Sequence, residues 1–132
     1  MQVTVKKMDI FTNYIKLEVI ELENGKYELA PKASAKIGKS NKIPNHYAIE
    51  VNLSVLDEPT RRFPINLEVK TIGYFEIENS DENVVQEFLK SQGLQAVYHN
   101  LRNLISTVTA ASMLPIVNLP PFFTDIVPRK QQ

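Results

Sequence analysis

The sequence predicts an α+β domain in which a four-stranded antiparallel sheet precedes a long helix and an apolar loop, with the helices on one face of the sheet. Two patterns support this prediction. Apolar side chains alternate with polar ones through much of residues 1–79, the period of half-buried strands. From Leu94 they recur at steps of three and four, the period of an amphipathic helix. We therefore expect one domain, residues 1–132, with a sheet (1–79), helices (80–113) and an apolar loop and tail (114–132).

The composition limits the classes of function. The chain has 132 residues, of which 15 are basic and 15 acidic, and it has no cysteine. Balanced charge lacks the basic footprint of a nucleic-acid-binding protein, and the absence of cysteine excludes disulfides and thiolate metal sites. No apolar run reaches the length of a membrane span, and the N-terminus lacks the apolar core of a signal peptide. We expect a cytoplasmic protein with no nucleic-acid partner and no membrane insertion.

In the N-terminal strands the alternation of apolar and polar residues is interrupted. Residues 3–11 alternate and then slip, which predicts a strand with a bulge or a bend. Residues 15–22 also need one slip to keep their apolar side chains on one face. Asn24-Gly25 is a strong signal for a tight hairpin turn, so we expect this second segment to pair with residues 27–37. Pro31 makes the latter an edge strand or an interrupted one.

Residues 46–56 and 63–77 are the clearest strands. A short turn joins them, so we expect an antiparallel pair. Gly73 lies within the second strand without disturbing its alternation, which predicts a bulge or a point of close packing. The face that the alternation assigns to solvent also carries apolar residues, which suggests contact with another subunit through that face. These residues are Ala30, Ala48, Ile72 and Tyr74.

Two helices are predicted after the strands. Ser80 is the expected N-cap of the first, and Gly93 is its expected end. The second begins at Leu94 and continues to about Met113, and its apolar stripe is expected to cover the sheet.

The loop that follows the second helix is unusually apolar. Pro115, Pro120 and Pro121 prevent the helix from continuing. An irregular segment cannot satisfy its own backbone polar groups when it is fully buried, so part of its surface should remain near water. Such a loop either packs along the core or contacts a partner.

Nothing in the sequence points to catalysis. His46 and His99 are isolated, and most acidic residues fall at strand positions that the pattern assigns to solvent. There is no phosphate-binding glycine loop, no nucleophile elbow and no paired-histidine motif. We expect no enzyme activity, no catalytic residue, no metal site and no cofactor.

Several motifs, taken in order, resemble the SecB export-chaperone family. They are the strand NHYAIEVNLSV, the strand FPINLEVKTIGYFEI with its step Gly73-Tyr74-Phe75, and the segment LRNLISTVTAASMLPIVNLPP. The resemblance covers roughly residues 46–121. Tyr98-His99-Asn100 stands where members usually have a Phe-Pro-Tyr-like step, and the cysteine-rich zinc tail through which some members reach the translocation motor is absent.

The resemblance implies a homotetramer, a dimer of dimers, with apolar grooves for unfolded polypeptides or preproteins. Some SecB-like proteins instead protect the antitoxin of a toxin–antitoxin module. We therefore predict an ATP-independent holdase that acts in export or in antitoxin control, with the translocation motor or an antitoxin as possible partner. The alternative is a structural or regulatory module that docks one dedicated folded protein. The predicted client-binding residues are Leu114, Ile116, Val117, Leu119, Phe122 and Phe123, with support from Tyr98.

Overall fold

A computed structural model describes residues 3–20, 31–56, 65–78 and 81–111 of the chain. Within these ranges, the strands are β1 (Thr4–Val19), β2 (Lys32–Lys39), β3 (His46–Val55) and β4 (Ile65–Glu78). They form one antiparallel sheet in the order β1-β4-β3-β2. A helical segment follows, made of α1 (Glu82–Phe88), a π-helical turn (Leu89–Gly93) and α2 (Leu94–Ala111). The predicted fold class is confirmed.

The predicted hairpin between the first strands is wrong. β1 pairs with β4 from Val19↔Ile65 to Thr4↔Glu78, while β2 pairs with β3, so β1 and β2 lie at opposite edges of the sheet. β1 has 16 residues and β4 has 14, whereas β2 has only 8. Pairing with β4 therefore satisfies more backbone groups of β1 than pairing with β2 would. The local turn preference at Asn24-Gly25, which lies outside the described residues, does not outweigh this difference.

β1 is one continuous strand with two bulges. Its register against β4 shifts between Val5 and Lys7 and again between Thr12 and Tyr14. The first shift confirms the bulge predicted in residues 3–11. The second lies before residues 15–22 and not within them, because β1 already ends at Val19.

The core lies between one face of the sheet and the helical segment. Alternate residues of β3 and β4 are buried, from Tyr47 to Val55 and from Ile65 to Ile77. The stripe of α2 that packs against them is also buried, as the periodicity predicts, and comprises Leu94, Val97, Tyr98, Leu101 and Ile105. This closed helix–sheet interface is the main source of hydrophobic stabilisation.

The helical segment is continuous, so the predicted helix end at Gly93 is wrong. It begins after Asp81, whose carboxylate accepts a hydrogen bond from the Asn83 backbone N at 3.0 Å. The predicted cap, Ser80, lies outside the described residues. Gly93 belongs to the π-helical turn and leads directly into α2. A Cβ there would lie 3.0 Å from Ile49 Cδ1, so this glycine lets the helix approach the sheet closely.

Gly73 is the second point of close approach, and it is not a bulge. It pairs in register with Ile10 on one side and Ile49 on the other. A Cβ at this position would lie 2.5 Å from Val97 Cγ2 and 2.9 Å from Phe75 Cε1. The missing side chain provides the space into which α2 packs.

We expect Gly73→Ala to destabilise the fold by ~1–3 kcal/mol, the usual cost of overpacking a closed core. The measurement is the free energy of unfolding in denaturant. Adding Val97→Ala should recover part of the loss, because it removes the methyl groups that the new Cβ meets. Gly38→Ala is the control, since a Cβ at Gly38 has no heavy atom within 4 Å. Equal stability of the Gly73 and Gly38 variants would contradict this account of the packing.

Candidate functional site

The structure places one of the predicted client-binding residues, Tyr98. Its side chain is fully buried between α2 and the sheet, so it does not line an open surface. Tyr98 can therefore support a binding site only by packing beneath the residues of its surface. The other predicted residues, Leu114 to Phe123, lie outside the described residues.

A strip of exposed apolar side chains lies on the helix-covered side of β1. Directly opposed residues of an antiparallel pair point to the same face of the sheet. Met8 is opposite Phe75 and Ile15 is opposite Val69, and both partners are buried under the helix. Met8 is nevertheless 51% exposed and Ile15 43%. We call the exposed apolar residues on this side of β1 the helix-side strip: Val5, Met8, Ile15 and Val19.

The strip is open because the helix does not extend across the whole sheet. α2 packs mainly on β4 and β3 and reaches β1 less. Ile10 and Leu17, on the same side of β1, are only partly buried against the core. No other described strand pairs with the outer edge of β1, since β4 is its neighbour on the other side. An exposed edge strand with apolar side chains is a site where a second extended chain can pair.

Sequence reasoning missed this strip. Alternation in residues 15–22 predicted one apolar face, and an apolar face is ordinarily read as buried. The position of β1 at the edge of the sheet, beyond most of the helix, leaves that face exposed. A single sequence does not reveal which strand the helix covers.

The opposite side of the sheet, the open face, carries no helix in the described part of the chain and is partly apolar. Phe11 and Tyr74 are 45% and 48% exposed there, and their ring centroids lie 5.7 Å apart. Ala48 and Ile72 are partly buried on the same face. Ala48, Ile72 and Tyr74 lie away from the core as predicted, and the fourth residue of that prediction, Ala30, lies outside the described residues.

Three polar side chains fix the start of the helix over the sheet. The Tyr47 hydroxyl donates to Glu82 Oε2 at 3.0 Å, and Lys39 Nζ lies 3.4 Å from Glu82 Oε1. Desolvation, together with the hydrogen bond to Glu82 and its charge, raises the pKa of Tyr47. Desolvation is the largest single effect on Glu82 and acts to raise its pKa, but the Tyr47 hydrogen bond and the Lys39 ammonium outweigh it, so the pKa is lowered.

His46, at the start of β3, contacts two neighbouring groups. His46 Nδ1 lies 2.9 Å from the Pro44 carbonyl oxygen, and its Nε2 lies 3.7 Å from Glu76 Oε1 on the neighbouring strand. Within the described ranges, His, Asp and Glu side chains form no group of three that could hold a metal ion. These ranges also contain no helix that is long and apolar enough to cross a membrane.

Comparison with known proteins identifies the family. The family described as preprotein translocase subunit SecB matches residues 2–131. The fold is similar to that of the Mycobacterium tuberculosis SecB-like chaperone Rv1957, solved in complex with a ChAD peptide from the HigA1 antitoxin. That match has a TM-score of 0.68 and 11% sequence identity, and it covers 91% of this chain and 87% of the other. An uncharacterized protein of Methanocaldococcus jannaschii, MJ0357, is 25% identical in an alignment of 118 positions that covers 84% of this chain and 76% of the relative.

The fold is that of the SecB-like class of α+β proteins. It has a four-stranded antiparallel sheet in the order β1-β4-β3-β2, a long helix on one face and an exposed apolar edge strand. Because the family match extends over nearly the whole sequence, the chain belongs to the SecB family.

The polar contact between Tyr47 and Glu82 predicts a dependence of stability on pH. Glu82 has a lowered pKa in the folded state, so its contribution is complete above the ordinary carboxyl pKa of 4.5 and is lost as the pH falls through the folded value. Because the Glu82 side chain is 48% exposed, the effect should stay below ~1 kcal/mol.

The measurement is the free energy of unfolding at neutral pH and below the carboxyl pKa. Glu82→Gln should lose less stability on acidification than the wild-type protein. The matched control is Glu87→Gln, an exposed acid on the same helix, and it should follow the wild-type curve. Identical acid dependence of the Glu82 and Glu87 variants would contradict a role for the Glu82 contacts.

Proposed function

We propose that this protein is an ATP-independent holdase chaperone of the cytoplasm that binds unfolded or non-native polypeptide segments. The observation that carries the proposal is the helix-side strip. This SecB-family protein exposes apolar side chains next to a strand edge that no other described strand covers. Proteins ordinarily protect such edges, and an exposed one invites another extended chain.

The combination of strip and edge fits a client without a defined sequence. The backbone of an extended segment can pair with the outer edge of β1, and this pairing does not depend on the side chains of the client. Met8 and Ile15 then offer apolar contact on one side of the added strand. Apolar contact is non-directional, so many different sequences can satisfy it.

The apolar loop completes the proposed site. Only two residues separate the end of α2 at Ala111 from residues 114–123, and α2 packs on the same face of the sheet as the strip. We propose that Leu114, Ile116, Val117, Leu119, Phe122 and Phe123 contact the client, and that Tyr98 supports them from within the core. In this proposal 1–132 is a single binding domain.

The family and a solved structure of the same fold support the client class that we propose. The M. tuberculosis relative was solved with a peptide from an antitoxin, which supports a polypeptide client for proteins of this fold. We propose a preprotein or an antitoxin as client, the translocation motor as partner in the export case, and no catalytic step in either.

Surfaces outside the proposed client site support a homotetramer built as a dimer of dimers. Among the described strands, the outer edge of β2 has no neighbouring strand, and Val19, at the end of β1, is 62% exposed. Sheet edges and exposed apolar side chains of this kind are ordinarily covered in an assembly.

The purified protein should suppress the aggregation of an unrelated unfolded protein at stoichiometric amounts and without ATP. Light scattering of the unfolding substrate is the measurement. The double variant Phe122→Ser, Phe123→Ser should suppress less, because it removes two apolar contacts of the proposed site. Failure of the wild-type protein to suppress aggregation, together with stable binding to one folded protein, would instead indicate a docking module.

The strip can be tested separately from the loop. Met8→Ser and Ile15→Ser should each weaken the protection several-fold. Phe11→Ser is the matched control, because Phe11 is as exposed as these residues but lies on the open face of the same strand. Equal loss in all three variants would point to a general effect on β1 and contradict the assignment of the strip.

In solution the protein should have the mass of a tetramer at micromolar concentration. Multi-angle light scattering measures this directly. Substitution of Val19 by lysine should shift the mass toward smaller species, because the charge would enter the proposed assembly surface of β1. A monomeric wild-type protein would contradict the tetramer without affecting the fold.

A further inference from the structure

Met8 is the one sulfur-containing side chain in the part of the chain that the structure describes. The sequence has three methionines and no cysteine, and Met1 and Met113 lie outside the described ranges. Cysteine thiolates are the usual first targets of oxidants in proteins. Because this chain has no thiol, the thioethers of its methionines are the sulfur groups that an oxidant meets.

Met8 is accessible, and the core does not depend on it. Its side chain is 51% exposed, although it is opposite Phe75, which is buried under the helix. On the same side of β1, Ile10 and Leu17 pack partly against the core. A polar atom added to Met8 meets water, whereas one added to either of these neighbours would be desolvated. The fold can therefore accept oxidation of Met8 without unfolding.

Oxidation changes the property on which the strip depends. The thioether sulfur attacks one oxygen of hydrogen peroxide, the O–O bond breaks, and the proton of the transferred hydroxyl passes to the departing hydroxide. The products are a sulfoxide and water, so the sulfur is oxidised by two electrons and the peroxide is reduced by two. The sulfoxide oxygen is polar and hydrated. An apolar contact made by Met8 then requires the removal of that water, which costs free energy.

Met8 lies beside the strand edge at which the proposed client pairs. Val5 and Ile15 continue the strip on either side of it along β1, and no other described strand covers the outer edge of this strand. A client side chain on the helix side of the added strand is therefore within reach of Met8. An unbranched, polarizable thioether adapts to client side chains of different shapes, and the sulfoxide loses that property.

From this placement we propose that Met8 is a modification site at which oxidation weakens client binding. A peroxide-class oxidant converts Met8 to its sulfoxide, the strip loses an apolar contact beside the strand edge, and the client is held less tightly. Reduction of the sulfoxide restores the thioether and the binding surface. The proposal rests on the proposed holdase function, because it assigns a regulation to the same site.

The experiment treats the folded protein with hydrogen peroxide and locates the added oxygen by mass spectrometry of its peptides. We expect Met8 to be oxidised in the folded protein at nearly the rate of the unfolded chain, because half of its side chain is accessible. Thermal unfolding should show that the oxidised protein remains folded. Protection of an unfolding substrate should fall several-fold on oxidation and return after treatment with methionine sulfoxide reductases for both sulfoxide epimers.

Variants assign the effect to one methionine. Each variant is compared with itself before and after oxidation, so differences in starting activity do not enter. Met8→Leu should lose no protection on oxidation, because leucine has no sulfur. Met113→Leu is the matched control and should lose protection as the wild type does, since it retains Met8. Met8→Gln, which places a polar amide where the sulfoxide would stand, should lower protection without any oxidant.

The outcomes separate this proposal from the holdase function. If the untreated wild-type protein gives no protection, the holdase function is wrong and the regulation falls with it. If the untreated protein protects, three results would overturn the regulation alone. They are a Met8 that stays unmodified, protection that oxidation leaves unchanged, and an equal loss in Met8→Leu. Unfolding of the oxidised wild type but not of oxidised Met8→Leu would also overturn it, because Met8 would then act through stability.

Discussion

The position of the helix over the sheet depends on two glycines. At Gly73 the sheet has no side chain where Val97 of α2 packs, and at Gly93 the helix has none where Ile49 packs. Together they let the helical segment lie directly on β3 and β4. The contact of Tyr47 with Glu82 holds the start of the segment over the same strands. Because the helix is fixed there, it covers little of β1, and the apolar strip on β1 remains exposed.

The central strands could be predicted from the sequence because both are buried on one face and exposed on the other. Their alternation alone sets strand length, pairing and face, and the structure agrees. The edge strands could not be predicted equally well. Asn24-Gly25 favoured a local hairpin, but the pairing of β1 with β4 gives many more hydrogen bonds at a larger distance along the chain. A local turn preference gives no information about the hydrogen bonds that β1 forms with a strand far away in the sequence.

The helix shows a similar limit. A glycine after an apolar stripe is the usual sign of a helix end, and Gly93 was predicted to be one. Its actual role is steric, and only the partner across the interface, Ile49, reveals it. For the candidate site, periodicity found the buried face of α2, including Tyr98, but not the strip on β1. Alternation identifies which side chains share a face, whereas exposure depends on what packs on that face.

The two bulges of β1 give the strand a tolerance to changes in length. Lys6 and Asn13 are the unpaired residues at the two register shifts, so neither has an opposite residue on β4. Loss of either would close a bulge and leave every remaining pair, and therefore every side chain's face, unchanged. Elsewhere in β1 the loss of one residue would exchange the two faces over the rest of the strand. Evolution can thus shorten this strand by one or two residues at defined positions while both of its surfaces are inherited intact.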